Sequence, residues 1–143
     1  MVYIIKRLIP IGILLLLFNL TSQAQKIEFE KVSARKFQSL ILKDNNHLLI
    51  DVSRTIDHLE GHIPGAIFAE TSEKLFSILD TIPISRPILI YCKYGKRSQK
   101  ASWLIAEKYP HKVFALKEGI ENWKARGFNV TNTANSLKVR LTK

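Results

Sequence analysis

The residues best suited to chemistry in this chain surround its one cysteine. Cys92 closes the apolar run PILIYC and is followed by KYGKRSQK, so four cations (Lys93, Lys96, Arg97 and Lys100) and Gly95 lie within eight residues of the thiol. A thiol placed between a strand and a tight loop that opens a helix faces the N–H groups of both the loop and the first helical turn. Those dipoles and the nearby positive charge favour thiolate over thiol, and the thiolate is the nucleophile. The same loop can seat an anion, and Gly95 supplies the backbone freedom to curl around it. An inert cysteine ending a core strand is the ordinary fate of a lone thiol, but it would not call for a cluster of cations. The spacing therefore predicts a reactive Cys92 and a substrate loop of Lys93, Tyr94, Gly95, Lys96, Arg97 and Ser98. Lys96 and Arg97 are its best-placed cations.

Such a loop needs a strand before it and a helix after it, and the sequence supplies both. Short runs rich in Val, Ile and Leu at residues 47–52, 87–92 and 112–116 read as buried strands. Their near-continuous apolarity favours a parallel sheet covered on both faces. Helical patterns lie between them: Ser33 as cap before Phe37, Leu40 and Ile41; Ser72 before Leu75, Phe76 and Leu79; Ser98 before Ala101, Leu104 and Ile105. A fourth helix, over residues 120–126, carries Trp123 inward and stops at Gly127. Strands alternating with helices predict an open α/β sheet, whose ligands bind beyond the C-terminal strand ends. Cys92 stands at such an end.

Composition bounds the rest. The 143 residues are 46% hydrophobic and 24% charged, which suits one globular domain and excludes disordered or collagenous classes. One cysteine excludes an intrachain disulfide framework and a cysteine-rich zinc site. Residues 1–24 have the form of a secretory signal: the basic pair Lys6-Arg7, an apolar run over residues 8–20, then Ser22 and Ala24 flanking Gln23. The run falls short of a spanning helix, so cleavage after Ala24, no stable membrane anchor afterwards and export to a bacterial periplasm are expected. The domain then covers residues 25–130, with a polar tail over 131–143. Lys and Arg number 22 against 12 Asp and Glu. With no nucleic-acid recognition motif, that excess suits small anions or an acidic protein partner.

Three segments, in order, carry a resemblance to a known family. The loop CKYGKRS at residues 92–98 resembles the active-site loop of the rhodanese family, single-domain sulfurtransferases in which a cysteine carries a persulfide. Asp51-Val52 followed by GHIPGA at residues 61–66 resembles the family's N-terminal signature, and LKEGIENWKARGF at residues 116–128 its C-terminal one. The resemblance implies a five-stranded parallel sheet with helices on both faces and Cys92 as catalytic nucleophile. It further implies a small anionic sulfur donor such as thiosulfate, a thiol or cyanide acceptor, and no metal or organic cofactor. Asp51 is expected to orient the neighbouring backbone, and His62 to make a structural hydrogen bond in a turn.

Two departures stand out. The family usually has Arg directly after Asp-Val, where this chain has Ser53 and then Arg54, so an ion pair to Asp57 is expected to be rearranged or absent. The usual glycine pair of the C-terminal signature is here Glu118-Gly119, and Glu118 could oppose the cationic field at the thiol.

Two rival functions share these features. Phosphatases and arsenate reductases also use a Cys-to-Arg loop, but with typically about five intervening residues rather than the four found here, too short a loop to surround a tetrahedral oxyanion. A phosphatase assay separates them. A sulfur carrier or protein-binding module would load with sulfur stoichiometrically but turn over slowly.

Overall fold

A computed structural model describes residues 29–43 and 45–132. The expected signal, residues 1–24, and nearly all of the polar tail lie outside the described residues. Five strands form one parallel sheet: β1 (Glu30–Val32), β2 (Leu48–Asp51), β3 (Ile67–Phe68), β4 (Ile88–Tyr91) and β5 (Val113–Leu116). Every residue of β2, β4 and β5 is buried, as parallel strands covered on both faces require. The helices are α1 (Ala34–Lys43), α2 (Thr55–Glu60), α3 (Ser72–Leu79), α4 (Lys96–Lys108) and α5 (Gly119–Ala125). Among the described residues no helix is long and apolar enough to cross a membrane.

Side chains alternate across the sheet and divide the core in two. Leu48, Ile50, Ile88, Ile90, Val113 and Ala115 pack with Leu75 and Leu79 of α3 and with Ala101 and Ile105 of α4. Leu49, Leu89, Tyr91, Phe114 and Leu116 pack with Ala34 and Phe37 of α1 and with Ile120 and Trp123 of α5. Cys92 falls on the α3/α4 side. The inward stripes expected from helical spacing therefore face the sheet, except that Leu104 is half-buried and lines a hollow beside α4.

The strand order β1-β5-β4-β2-β3 creates the site. The chain leaves β2 toward β3 on one side and leaves β4 toward β5 on the other, so the connections diverge between the adjacent strands β2 and β4. A crevice opens at such a switch point, outside the C-terminal strand ends. Asp51 is in register with Tyr91, and Val52 N donates to Tyr91 O at 2.9 Å. The loops entering that crevice therefore begin at Val52 and at Cys92.

The structure also differs from the sequence reading in places. Ser98 does not open its helix: α4 begins at Lys96, with Gly95 as N-cap at φ 83°. The left-handed glycine turns the chain into the helix earlier and places Ser98, buried, within the first turn. Thr71, one residue before Ser72, caps α3 by accepting from Lys74 N. The short elements β1, β3 and α2 had no periodic signal long enough to read. Thr131 exchanges backbone hydrogen bonds with His62, at 2.8 and 2.9 Å, so folded contact reaches one residue past position 130.

Candidate active site

Cys92 is 2% exposed, at the floor of a cavity of about 220 Å³. Helical N–H groups in the first turn of α4 have no carbonyl one turn earlier to bond. Of these, Ser98 N donates to Cys92 Sγ at 3.4 Å, and the thiol lies 3.6 Å from Ser98 Oγ as donor. Ser98 Oγ in turn donates to Gly95 O at 3.1 Å, and Ser102 Oγ donates to Ser98 O at 2.8 Å. The buried serines thus fix the first turn of α4 against the sulfur.

A second helix holds the loop from the other side. Ile120 N donates to Cys92 O at 2.9 Å and Glu121 N to Lys93 O at 3.2 Å, so the N-terminus of α5 is bonded to the peptide groups that carry the thiol. This approach leaves no room for side chains. A Cβ on Gly119 (φ +69°) would stand 2.2 Å from Lys93 O, and one on Gly95 (φ +83°) would stand 2.2 Å from Lys117 O. Both glycines are required by positive φ and close backbone contact together. Gly119 is thus a functional residue that loop reading alone misses; its signal was its retention in the C-terminal signature.

The predicted cations divide by role. Lys93 Nζ lies 2.9 Å from Asp57 Oδ1 and 3.3 Å from Glu60 Oε2. Arg54 Nε lies 2.9 Å from Asp57 Oδ2, so the ion pair to Asp57 is present, made by Arg54 and Lys93 together. The Arg54 guanidinium, then the Lys93 ammonium, holds the Asp57 carboxyl at about 2 against an ordinary 3.8. Asp57 and then Glu60 raise the Lys93 ammonium in return. Arg97 stitches two loops, its Nε donating to Val52 O at 2.9 Å and its Nη2 to Glu70 O at 2.8 Å. Lys96 is exposed and lines the cavity with Tyr94 and Arg97. Lys100 instead lines a neighbouring hollow of about 300 Å³. The carboxylates Asp57 and Glu60, supplied by α2, therefore offset part of the positive charge that the linear sequence suggests.

The supporting residues lie apart from the thiol. Asp51 is fully buried and, by strand alternation, points to the α1/α5 face, opposite Cys92. Its Oδ1 accepts from Ser53 N at 2.8 Å and its Oδ2 bonds His58 Nδ1 at 2.8 Å, which ties the backbone after β2 to α2. Burial first, then the Asp51 charge, pushes the neighbouring Tyr91 phenol up, and that phenol oxygen accepts from Ile63 N at 2.9 Å. His62 Nδ1 is 3.1 Å from His58 O, and its ring stacks on His58 at 4.1 Å. It lies outside the residues lining the cavity. Glu118, exposed at the start of α5, accepts from the Asn122 amide and also lies outside the lining. Among the described residues, no three or more His, Cys, Asp or Glu side chains are grouped to hold a metal ion.

Comparison with known proteins places this geometry. The pattern of the rhodanese-like domain matches residues 33–126. A thiosulfate sulfurtransferase GlpE of Ectopseudomonas mendocina is 26% identical over 98 residues, covering 68% of this chain and 87% of that protein. A tRNA uridine(34) hydroxylase of Buchnera aphidicola is 30% identical over 122 residues, 80% of this chain but 36% of the longer protein. Among solved structures, the Alr3790 protein of Anabaena sp. superposes with a TM-score of 0.65 at 22% identity, over 76% of this chain and 87% of that one. The chain belongs to the rhodanese-like domain family, with relatives that support a sulfurtransferase type of activity.

Proposed function

We propose that this protein is a sulfurtransferase that moves sulfane sulfur from thiosulfate, or a similar anionic donor, to a thiol or cyanide acceptor through a persulfide on Cys92. The observation that carries the reading is the placement of Cys92 Sγ, 3.4 Å from Ser98 N in the first turn of α4, at the floor of a cavity rimmed by Lys96 and Arg97. The Cys92 thiolate attacks the outer sulfur of thiosulfate. A Cys92–S bond forms, the donor's S–S bond breaks, and its electron pair leaves with sulfite. Acceptor attack on that outer sulfur returns the thiolate, with no net redox change. Both anionic species gain from fixed N–H dipoles that need no reorganisation, and the cycle requires no general base once the thiol is ionised.

The test is intact mass before and after thiosulfate, then after cyanide, with Cys92→Ser alongside. A gain of about 32 Da that requires Cys92 and is discharged by cyanide as thiocyanate is expected. Absence of the adduct on freshly reduced protein refutes thiosulfate as donor. Residues 1–24 are proposed to direct export, on the strength of their basic, apolar and small-residue regions. A mature chain beginning elsewhere than Gln25 would overturn the proposed cleavage.

A further inference from the structure

The crevice between β2 and β4 holds a polar side chain with no hydrogen-bond partner among the described residues. Ser53 lines the same cavity as Cys92, is 2% exposed, and has a buried hydroxyl without a hydrogen bond. Folded proteins keep few such groups, because a buried donor left unpaired has lost its water and gained nothing in exchange. The main chain around it is fixed. Ser53 N donates to Asp51 Oδ1 at 2.8 Å, while Val52 is held at its N–H by Tyr91 O and at its carbonyl by Arg97 Nε. Rotation about χ1 is the freedom left to the hydroxyl. Ser53 therefore places a short neutral donor in the lining that it shares with Cys92.

We infer that the Ser53 hydroxyl is a binding group for the transferred sulfur: when Cys92 carries a persulfide, Ser53 Oγ–H donates to its terminal anionic sulfur. The inference rests on the persulfide reading above and deepens it by assigning a further residue to the loaded state. The terminal sulfur accepts hydrogen bonds and donates none, and bonds to charged acceptors are the stronger kind. The hydroxyl has no competing acceptor to leave, so the loaded state gains this bond without losing another. The topology explains the pairing. Ser53 follows Val52, and Val52 and Cys92 lead out of neighbouring registered positions on β2 and β4.

The test separates the hydroxyl's role from the identity of the donor by loading Cys92 with inorganic polysulfide as well as with thiosulfate. Polysulfide gives up a sulfane sulfur to the thiolate, and the shortened chain departs with the electron pair. Melting temperatures of the thiol and persulfide forms are compared for the wild type, Ser53→Ala and Ser53→Thr. The thiol form of Ser53→Ala is expected to melt no lower than the wild type, since it loses no bond. Its persulfide form should lose about 5 °C or more of the shift that loading gives the wild type, with Ser53→Thr restoring it. Its kcat/KM for thiosulfate should fall about tenfold. An undiminished persulfide shift in Ser53→Ala overturns the inference, as does a thiol form that melts well below the wild type, which marks a structural hydroxyl. Loading by polysulfide but not by thiosulfate refutes only the donor and leaves the Ser53 comparison readable. Loading by neither refutes the persulfide on Cys92 and, with it, the role of Ser53.

Discussion

Replacing Gly119 by alanine tests whether the Cys92 loop is held by backbone contact with α5. The left-handed conformation at φ +69° costs a non-glycine residue ~1–2 kcal/mol by itself. The added Cβ would meet Lys93 O at 2.2 Å and Cys92 O at 2.5 Å, so these carbonyls must withdraw by roughly 1 Å to reach ordinary contact. That movement breaks Ile120 N to Cys92 O and Glu121 N to Lys93 O, each worth ~1 kcal/mol. The total loss is ~3–4 kcal/mol, a large fraction of the stability of a domain this size. Gly65 is the control: its φ is +83°, yet nothing lies within 4 Å of a Cβ built there. Gly65→Ala should lose only ~1–2 kcal/mol. Urea unfolding of both variants, with thiosulfate loading measured in parallel, reads the difference. Gly119→Ala is expected to lose at least ~2 kcal/mol more than Gly65→Ala, and to load poorly even where it is folded. Equal losses in the two variants would refute the close approach as the reason for glycine at 119.

Two further outcomes follow from the ion pairs. The Asp57 carboxyl is lowered from 3.8 to about 2 by Arg54 and Lys93, so its contribution to stability is complete above pH 3.8 and disappears as pH falls toward 2. Asp57→Asn should flatten the acid limb of a stability-against-pH curve in that window, and an unchanged limb would count against the pairing. Glu118→Gln should leave the KM for thiosulfate within about twofold of the wild type, because Glu118 lies outside the cavity lining and is engaged by Asn122. A severalfold drop in KM would show that its charge does reach the anion site.

The division of the cations carries the main correction to a reading by proximity. Four positive residues near a thiol in sequence suggest one cationic field. In the folded chain Lys93 turns to Asp57 and Glu60, Arg97 ties Val52 to Glu70, and Lys100 leaves for a neighbouring hollow. In the proposed reaction, the groups left to face an anionic donor are Lys96, the accessible part of Arg97 and the first-turn amides of α4. Recognition by fixed dipoles suits donors that share a charge and a sulfur more than a particular shape.

The features readable from the chain alone are local or periodic. Cys92, its glycine loop and the following helix form one continuous segment, so strand, turn and helix could be read in order. The buried runs of β2, β4 and β5 and the stripes of α1, α3, α4 and α5 follow from burial on one or both faces, which acts at fixed periods of two or 3.6 residues. What meets across the sheet is set by the fold. The pairing of β2 with β4 brings Ser53 to the cavity of Cys92, and α2 sets Asp57 against both Arg54 and Lys93. The N-terminus of α5 closes on the carbonyls of residues 92 and 93, which makes Gly119 indispensable. Apart from Arg54 with Asp57, which are neighbours at the start of α2, these contacts join residues about 25 to 40 positions apart, and no period in the chain encodes them. They are fixed by strand order and register, which depend on how the whole core packs.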